Sequence, residues 1–433
     1  MRRGRYYALV ILALIAVLNT ADQAVLLVNL PAIQLDLRLT DTQVGLLSSA
    51  FVAVYALAVL PAGYLGDRTA RRMVVGVGVG LWSLATLLTG LARTFPQMVL
   101  ARAALGIGES TALPSTMSLL GDHFAREARG RAAGAIGAAL QVGTGVGAVA
   151  GGLVAGRLGW HAAFYLAAIP GLVLAFLAFT IREAPRGAAE PSRRTVPGSR
   201  QAGGRVFLQV LRIPTFVLAA GANGFLYLAV TGVAGFAGLY LSRRFGVGAA
   251  GLGLMLGPPL LISGLLGNSA GGWLIDRRGK VTRSAPLEVA AAGCAIGAGG
   301  MFAMFSVPSS LGFEIAFTIA ATAAQMAVPG LLAINQNVVS PDLRGSATAL
   351  QQLMTNLFGR TAGLLLVGTL ADALHDLRLA FLVVAPVGLM AAAVLGAIGL
   401  QTICKDSQAM EAGWGRSGQD ALSKFDAAVV RVD

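Results

Sequence analysis

The sequence has little charge, cysteine or histidine. Only 12% of its 433 residues are Asp, Glu, Lys or Arg, about half the share in soluble proteins, whereas 56% are hydrophobic. No water-soluble globule could hide that much apolar surface. The two cysteines argue against a disulfide framework, and the three histidines, which share no helical face, argue against a metal site. We therefore expect no cofactor, no metal and no enzymatic centre.

Long apolar runs dominate the chain instead. Each run is long enough to cross about 30 Å of hydrocarbon at about 1.5 Å per residue. The 57 Gly residues suit close packing of helices in lipid, where small residues let backbones approach. The sequence thus predicts an all-α polytopic membrane protein with twelve transmembrane helices. The predicted spans are 7–34, 43–66, 73–92, 96–120, 129–157, 162–182, 211–242, 249–275, 284–306, 309–337, 343–371 and 377–403.

Basic residues are distributed unevenly between the two sides of these spans. With both termini on one side, that side carries 25 of the 33 Lys and Arg residues, the other side carries 6, and the spans contain 2. The positive-inside rule places the richer side in the cytoplasm. We therefore expect a multi-pass protein of the cell inner membrane with cytoplasmic termini. The net charge of +13 does not indicate nucleic acid, because no basic patch carries interleaved aromatic residues.

The two halves of the chain repeat the same features in the same order. The loops after span 2 and span 8 both contain Gly, Leu, Asp and Arg at equal spacing, and a Pro followed by an Arg-Gly pair recurs at Pro114 and Pro329. Such recurrence favours two six-helix pseudo-repeats, which in transporters bind substrate at their interface. The predicted domains are an N-terminal six-helix bundle at 1–182, a cytoplasmic linker at 183–210, a C-terminal six-helix bundle at 211–403 and a cytoplasmic tail at 404–433.

These loop motifs resemble those of the major facilitator superfamily. Residues 63–72 match the motif that follows span 2 in this superfamily, with Ala70 where Gly is usual. The resemblance implies the twelve-helix fold of the superfamily and a cytoplasmic gate that holds the halves together in the outward-facing state. We expect the motif glycines to form tight turns. The expected gate residues are Gly63, Asp67, Arg68, Arg71, Arg72, Gly272, Asp276 and Arg277.

Three segments resemble the spinster-like group of that superfamily, namely 18–22, 39–45 and 101–109. The sequence departs from the group at Thr20 and Gln23, where Tyr and Arg are usual. The resemblance implies transport of lysolipids, sphingoid phosphates or other amphiphiles, often driven by protons. It also implies that Asp22 and Glu109 are coupling carboxylates.

Asp22, Arg102 and Glu109 are charged residues inside predicted spans, where an ionisable group is costly unless it is paired or hydrated. Helix geometry places Arg102 and Glu109 on one face of span 4, about 10.5 Å apart along the axis, too far apart to pair without long side-chain reach. We expect a proton switch, because a low-dielectric cavity favours the protonated acid whereas a nearby Arg favours the carboxylate. The alternative is a fixed ion pair joining span 1 to span 4, although buried pairs stabilise little.

Span 11 carries a polar stripe at spacings of four residues. Its members are Gln352, Asn356 and Arg360, and the repeat relates Asn356 to Gln141 of span 5. We expect these four residues to line a substrate cavity, with Arg360 receiving an anionic headgroup. The alternative is interhelical hydrogen bonding, which contributes about 0.6 kcal/mol per contact.

The predicted function is proton-coupled secondary active transport of an amphiphilic small molecule or lysolipid by alternating access. The expected partners are this substrate, protons and the bilayer, and we expect a monomer. One alternative is an uncoupled facilitator or a multidrug exporter of lipophilic compounds. A remote alternative is a membrane-embedded enzyme that modifies lipids, but no nucleophile with an orienting base is visible in the sequence.

Overall fold

The computed structural model describes residues 2–124, 126–183, 204–340 and 343–429, and these residues are almost entirely helical. The helices are α1 (Arg2–Leu37), α2 (Asp41–Arg68), α3 (Arg71–Leu91), α4 (Phe95–Ser110), α5 (Ala112–His123), α6 (Arg126–Leu158), α7 (Trp160–Phe179), α8 (Gly204–Leu211), α9 (Pro214–Phe245), α10 (Ala249–Gly279), α11 (Ala285–Met304), α12 (Ser310–Val338), α13 (Arg344–Met354), α14 (Ala362–Leu374) and α15 (Leu377–Val429). A π-helical segment, Thr355–Thr361, joins α13 to α14.

Eleven of the described helical segments are long and apolar enough to cross a membrane. The remaining predicted span, 96–120, consists of α4 and α5, which meet at Thr111. Pro114 accounts for this break, because it has no N–H to donate to the carbonyl group of Ser110. The predicted class, an all-α polytopic membrane protein, is therefore confirmed.

The helices form two halves that meet along a central interface. In the first half, α1 packs against α6 and α3 against α7; in the second, α11 packs against α12 and α9 against α15. The interface between the halves is made mainly by α2 and α6 against α14 and α10. Residues 184–203 of the predicted linker lie outside the described residues, and the helix Gly204–Leu211 begins within the linker range and ends one residue beyond it. The predicted tail continues helix α15 as far as Val429.

Glycines bring the halves into backbone contact toward one side of the protein, here called the closed face. A Cβ atom at Gly152 would lie 2.8 Å from the Cα of Gly253, and one at Gly45 would lie 2.6 Å from the carbonyl oxygen of Leu364. Larger residues would therefore push α6 from α10 and α2 from α14. The opposite side, where α2 ends at Arg68 and α10 ends at Gly279, is here called the open face.

A cavity separates the halves toward the open face. On α6 the cavity is lined between Gly134 and Thr144, whereas the glycines that contact α10 follow between Gly145 and Gly156. Since α6 runs from the open face to the closed face, the cavity lies on the open side of the contact. In the part of the chain that the structure describes, the glycine contacts therefore separate the cavity from the closed face.

Candidate functional site

The central cavity has a volume of about 760 Å³ and is lined by both halves. Aliphatic side chains of α1, α5, α6 and α12 form much of its wall. The polar lining is rich in side-chain amides, which can both donate and accept hydrogen bonds. The polar lining includes Asn19, Gln23, Tyr55, Glu109, Gln141, Tyr227, Asn268, Gln325, Gln352, Asn356 and Arg360.

Asp22, Arg102 and Glu109 form a buried charge cluster within the first half, each with only 1% of its surface exposed. Arg102 interacts electrostatically with both carboxylates, but it lies within 4 Å of neither, and its guanidinium carbon is 5.2 Å from the ring centroid of Phe164. The Thr86 hydroxyl donates to Asp22 at 3.2 Å. Nε and Nη2 of Arg102 and Oδ1 of Asp22 have no hydrogen-bond partner among the described residues. This geometry is poor for a purely structural ion pair, which stabilises only when its remaining hydrogen bonds are satisfied.

Glu109 is the member of the cluster that reaches the cavity. Its Oε2 accepts a hydrogen bond from Nε2 of Gln23 at 2.9 Å, whereas its Oε1 has no partner among the described residues. Two glycines beside it let α4 approach its neighbours: a Cβ at Gly106 would lie 2.8 Å from the carbonyl oxygen of Phe51, and Gly108 packs as closely on Trp82. Close packing of α4 therefore brings a carboxylate from the bundle interior to the cavity wall.

The polar stripe of span 11 lines the other side of the cavity. Gln352, Asn356 and Arg360 all border it, as does Gln141 of α6. Residues four apart drift by about 40° per step around an α-helix, but the wider turn of the π segment offsets this drift. The guanidinium carbon of Arg360 lies 4.5 Å from the ring centroid of Tyr227. The second half thus places one cation opposite the carboxylate of the first half.

The expected cytoplasmic gate residues lie at the open face, and the contacts found for them stay within one half. Arg71 is 4% exposed and binds Asp122 at 2.5 Å and Glu183 at 2.8 Å. Arg68 lies over the ring of Tyr64, Arg72 faces the carbonyl group of Ile181 at 3.5 Å, and Arg277 lies over Trp273. Asp276 is exposed, and the side chain of Asp67 lies outside the described residues.

The expectation that the motif glycines form tight turns is wrong. Gly63 lies inside α2 and Gly272 inside α10, and neither has a positive φ. The chain turns later, around Thr69 and Ala70 in the first half and after Lys280 in the second. A Cβ at either glycine would meet nothing within 4 Å.

At the closed face, four polar residues join the halves in what we call the closed-face latch: Gln34, Asp41, Arg243 and Asp372. Arg243 of α9 donates to both carboxylate oxygens of Asp41, at 2.8 Å from Nη1 to Oδ2, and to Gln34 at 2.9 Å. Asp372 of α14 accepts the backbone N–H groups of Asp41 and Thr42, at 3.0 and 2.8 Å. A carboxylate of the second half therefore caps the N-terminus of α2 in the first half.

Sequence reasoning missed the latch because its partners are 202 and 331 residues apart. One sequence feature does indicate part of the latch. Thr40 and Gln43 have the spacing of a capping box, and both reciprocal bonds are present in the structure. The box marks residue 41 as the start of α2, where the free N–H groups would need an acceptor.

Two helical halves around a central cavity, open toward one face and joined by a latch at the other, are the architecture of a secondary transporter. A sequence profile of the Major Facilitator Superfamily matches residues 12–360, and the chain belongs to this superfamily. It is a transporter and not an enzyme.

The chain is similar to several known transporters over most of its length. The chain is 29% identical over 395 residues to protein spinster homolog 1 of Xenopus tropicalis, covering 84% of this chain and 72% of the relative. It is 27% identical over 381 residues to an MFS-type efflux pump of Mycolicibacterium smegmatis, covering 86% of each. Its fold matches the inward-facing, unoccupied crystal structure of a bacterial homolog to the human lysosomal transporter spinster, with a TM-score of 0.83, 23% identity and coverage of 94% and 99%. Within the superfamily, the chain is thus similar to spinster proteins in sequence and in fold. This is the group that its motifs resemble.

Proposed function

We propose that this protein is a proton-coupled secondary active transporter of an amphiphilic small molecule, with Asp22, Arg102 and Glu109 as the coupling residues. The proposal rests chiefly on one observation: a buried cluster of three charges reaches the substrate cavity through one carboxylate, Glu109. An ionised carboxylate is costly to enclose away from water, whereas a protonated one is not. Proton binding at Glu109 therefore lets the cavity close.

In this proposal, Arg102 interacts differently with the two carboxylates in the two protonation states of Glu109. When Glu109 is ionised, Arg102 is shared between two negative charges; when Glu109 carries a proton, Arg102 serves Asp22 alone. Nε and Nη2 of Arg102 have no hydrogen-bond partner among the described residues, so no bond from these two atoms opposes this change. Opening of the closed-face latch and closure of the open face complete the alternation of access.

The cavity fits an amphiphile. Its aliphatic walls accept a chain, its amides accept a polar group, and Arg360 beside Tyr227 offers a cation to an anionic headgroup. A lipid-like substrate such as a lysolipid is what the resemblance of segments 18–22, 39–45 and 101–109 to the spinster-like group implies. The efflux-pump relative supports export as the second candidate. In the facilitator alternative, the charge cluster only gates.

Reconstituted protein separates these candidates. Liposomes containing the protein and a trapped pH indicator receive lauroyl lysophosphatidylglycerol or tetraphenylphosphonium, and proton flux is followed. Proton movement that depends on the added compound is the expected result. Uptake of either compound without proton movement would favour the facilitator instead.

Arg360→Ala tests the headgroup assignment. Loss of the guanidinium should weaken binding of lysophosphatidylglycerol by about tenfold, because a charge-assisted hydrogen bond contributes about 1.5–3 kcal/mol. Binding of tetraphenylphosphonium should change far less, since a cation gains nothing from Arg360. Titration of both compounds against wild type and variant is the measurement. Equal losses for both would assign Arg360 to packing.

We also infer an inner-membrane location with cytoplasmic termini, from the uneven distribution of basic residues. The open face is then cytoplasmic, so the described conformation corresponds to an inward-facing state.

A cysteine at Ser199 in the linker tests this topology. It should be labelled by a membrane-impermeant maleimide only after cells are broken open. The experiment needs Cys404→Ser, because Cys404 is exposed whereas Cys294 is buried. Labelling of intact cells from outside would reverse the topology.

A further inference from the structure

Gln23 lies between the charge cluster and the cavity. One helical step after Asp22, it turns about 100° away from the direction of that residue, so that it borders the cavity while Asp22 stays buried. Its Nε2 donates to Oε2 of Glu109 at 2.9 Å. Its carbonyl oxygen has no hydrogen-bond partner among the described residues. A single side chain therefore touches both the carboxylate and the space that a substrate occupies.

A primary amide presents opposite hydrogen-bonding groups on its two sides. An ionised carboxylate only accepts hydrogen bonds, so Gln23 must turn its NH2 toward it, as observed. A protonated carboxyl group donates its O–H, and the amide then satisfies it best by turning its carbonyl oxygen inward. Such a turn is a rotation about the Cγ–Cδ bond, and the proton remains on Glu109 throughout.

We propose that Gln23 is a positioning residue that converts the protonation of Glu109 into a change in the cavity wall. With Glu109 ionised, Gln23 offers an acceptor to the substrate; with Glu109 protonated, it offers an NH2 donor. The bound molecule therefore has a hydrogen-bonding headgroup whose affinity depends on the proton. This inference rests on the proposed proton coupling and adds the group that relays it.

The charged and titratable neighbours of Glu109 allow this relay. They are Asp22 of α1, Arg102 of its own helix and Tyr55 of α2, and Tyr55 also interacts electrostatically with Arg360 of span 11. Asn19, one turn before Gln23, also lies beside Glu109 and borders the cavity. Gln23 donates the 2.9 Å hydrogen bond to Oε2 of Glu109, and the amide of Asn19 is a second hydrogen-bonding neighbour of the same carboxylate.

Infrared difference spectroscopy of the full-length protein in liposomes tests the relay without a ligand. Spectra at acidic minus neutral pH are compared for wild type, Gln23→Met, Glu109→Gln and the matched control Gln352→Met, which removes a cavity amide not bonded to Glu109. Wild type should show a carboxyl band that Glu109→Gln removes, together with a shift of a side-chain amide band. Gln23→Met should lose the Gln23 part of the amide shift and move the carboxyl band to higher wavenumber, because the O–H loses the carbonyl group of Gln23 as an acceptor. Gln352→Met should keep both.

The possible outcomes distinguish a failure of the relay proposal from a failure of the coupling proposal. If Gln23→Met retains the wild-type amide shift, the relay is wrong and the coupling proposal stands. If wild type lacks any carboxyl band that Glu109→Gln removes, the coupling proposal itself fails. Gln23→Asn, whose amide is one methylene too short to reach Glu109, replaces Gln23→Met if that variant does not fold, and the same loss is expected.

Discussion

Glu109→Gln should abolish transport driven by a pH gradient while sparing substrate binding. The substitution keeps the shape of the side chain and its hydrogen bonding, but it removes the only group of the charge cluster that is both titratable and in contact with the cavity. A permanently neutral side chain lets the cavity close without a proton, so exchange of substrate across the membrane should persist. Uptake of lysophosphatidylglycerol under an imposed gradient, and exchange without one, are the measurements.

The matched control is Glu314→Gln, which removes a carboxylate of α12 that is absent from the cavity wall. It should leave gradient-driven uptake unchanged. Asp22→Asn should resemble Glu109→Gln, and the double variant should lose little more than either single one, because residues that act in one relay are not additive. Full gradient-driven uptake in Glu109→Gln would replace the proton switch with facilitated transport.

Asp372→Asn should shift the protein toward the conformation that is open at the closed face. The substitution weakens two charge-assisted hydrogen bonds to the N-terminus of α2 and removes the charge that favours this helix end. Bonds of this kind contribute about 1.5–3 kcal/mol, so the equilibrium between the two conformations should change by about tenfold or more. Arg243→Gln should act in the same direction with a smaller effect, since Arg243 is 44% exposed.

The distance between two spin labels measures this shift. The labels are attached at Ala70 and Val281, on the open-face loops of the two halves, in a Cys404→Ser background. Both positions are exposed. The variants should gain a population with a shorter distance. The matched control is Asp376→Asn, because Asp376 accepts a backbone N–H at 2.7 Å within its own half. An unchanged distance distribution in Asp372→Asn would make the latch a static contact.

The sequence alone predicts the passes, the repeat and the charge cluster, for physical reasons. An apolar run must cross the bilayer, and a charge within such a run is conspicuous at Asp22 or Glu109. The sequence does not reveal which side of a helix faces the other half. In the sequence, Arg243 cannot be distinguished from the other basic residues near loops. Only the approach of α9 to α2 makes it a partner of Asp41.

The sequence also does not reveal where the helices are broken or irregular. Pro114 accompanies a break between α4 and α5, whereas Pro329, its counterpart in the repeat, lies inside the continuous helix α12. A proline therefore predicts a weakened helix without deciding whether packing restores it. The π segment has no sequence signal at all, although it carries two of the four predicted cavity residues, Asn356 and Arg360.

The π segment would allow the two ends of span 11 to rotate relative to each other. A π turn holds an extra residue relative to an α turn, so returning Thr355–Thr361 to α geometry would rotate one end of the span against the other by about 100°. Such a rotation would carry the Arg360 guanidinium away from the Tyr227 ring while Asn223 keeps its hydrogen bond to Thr355. Interconversion of π and α geometry within span 11 would thus turn its cation toward or away from the cavity.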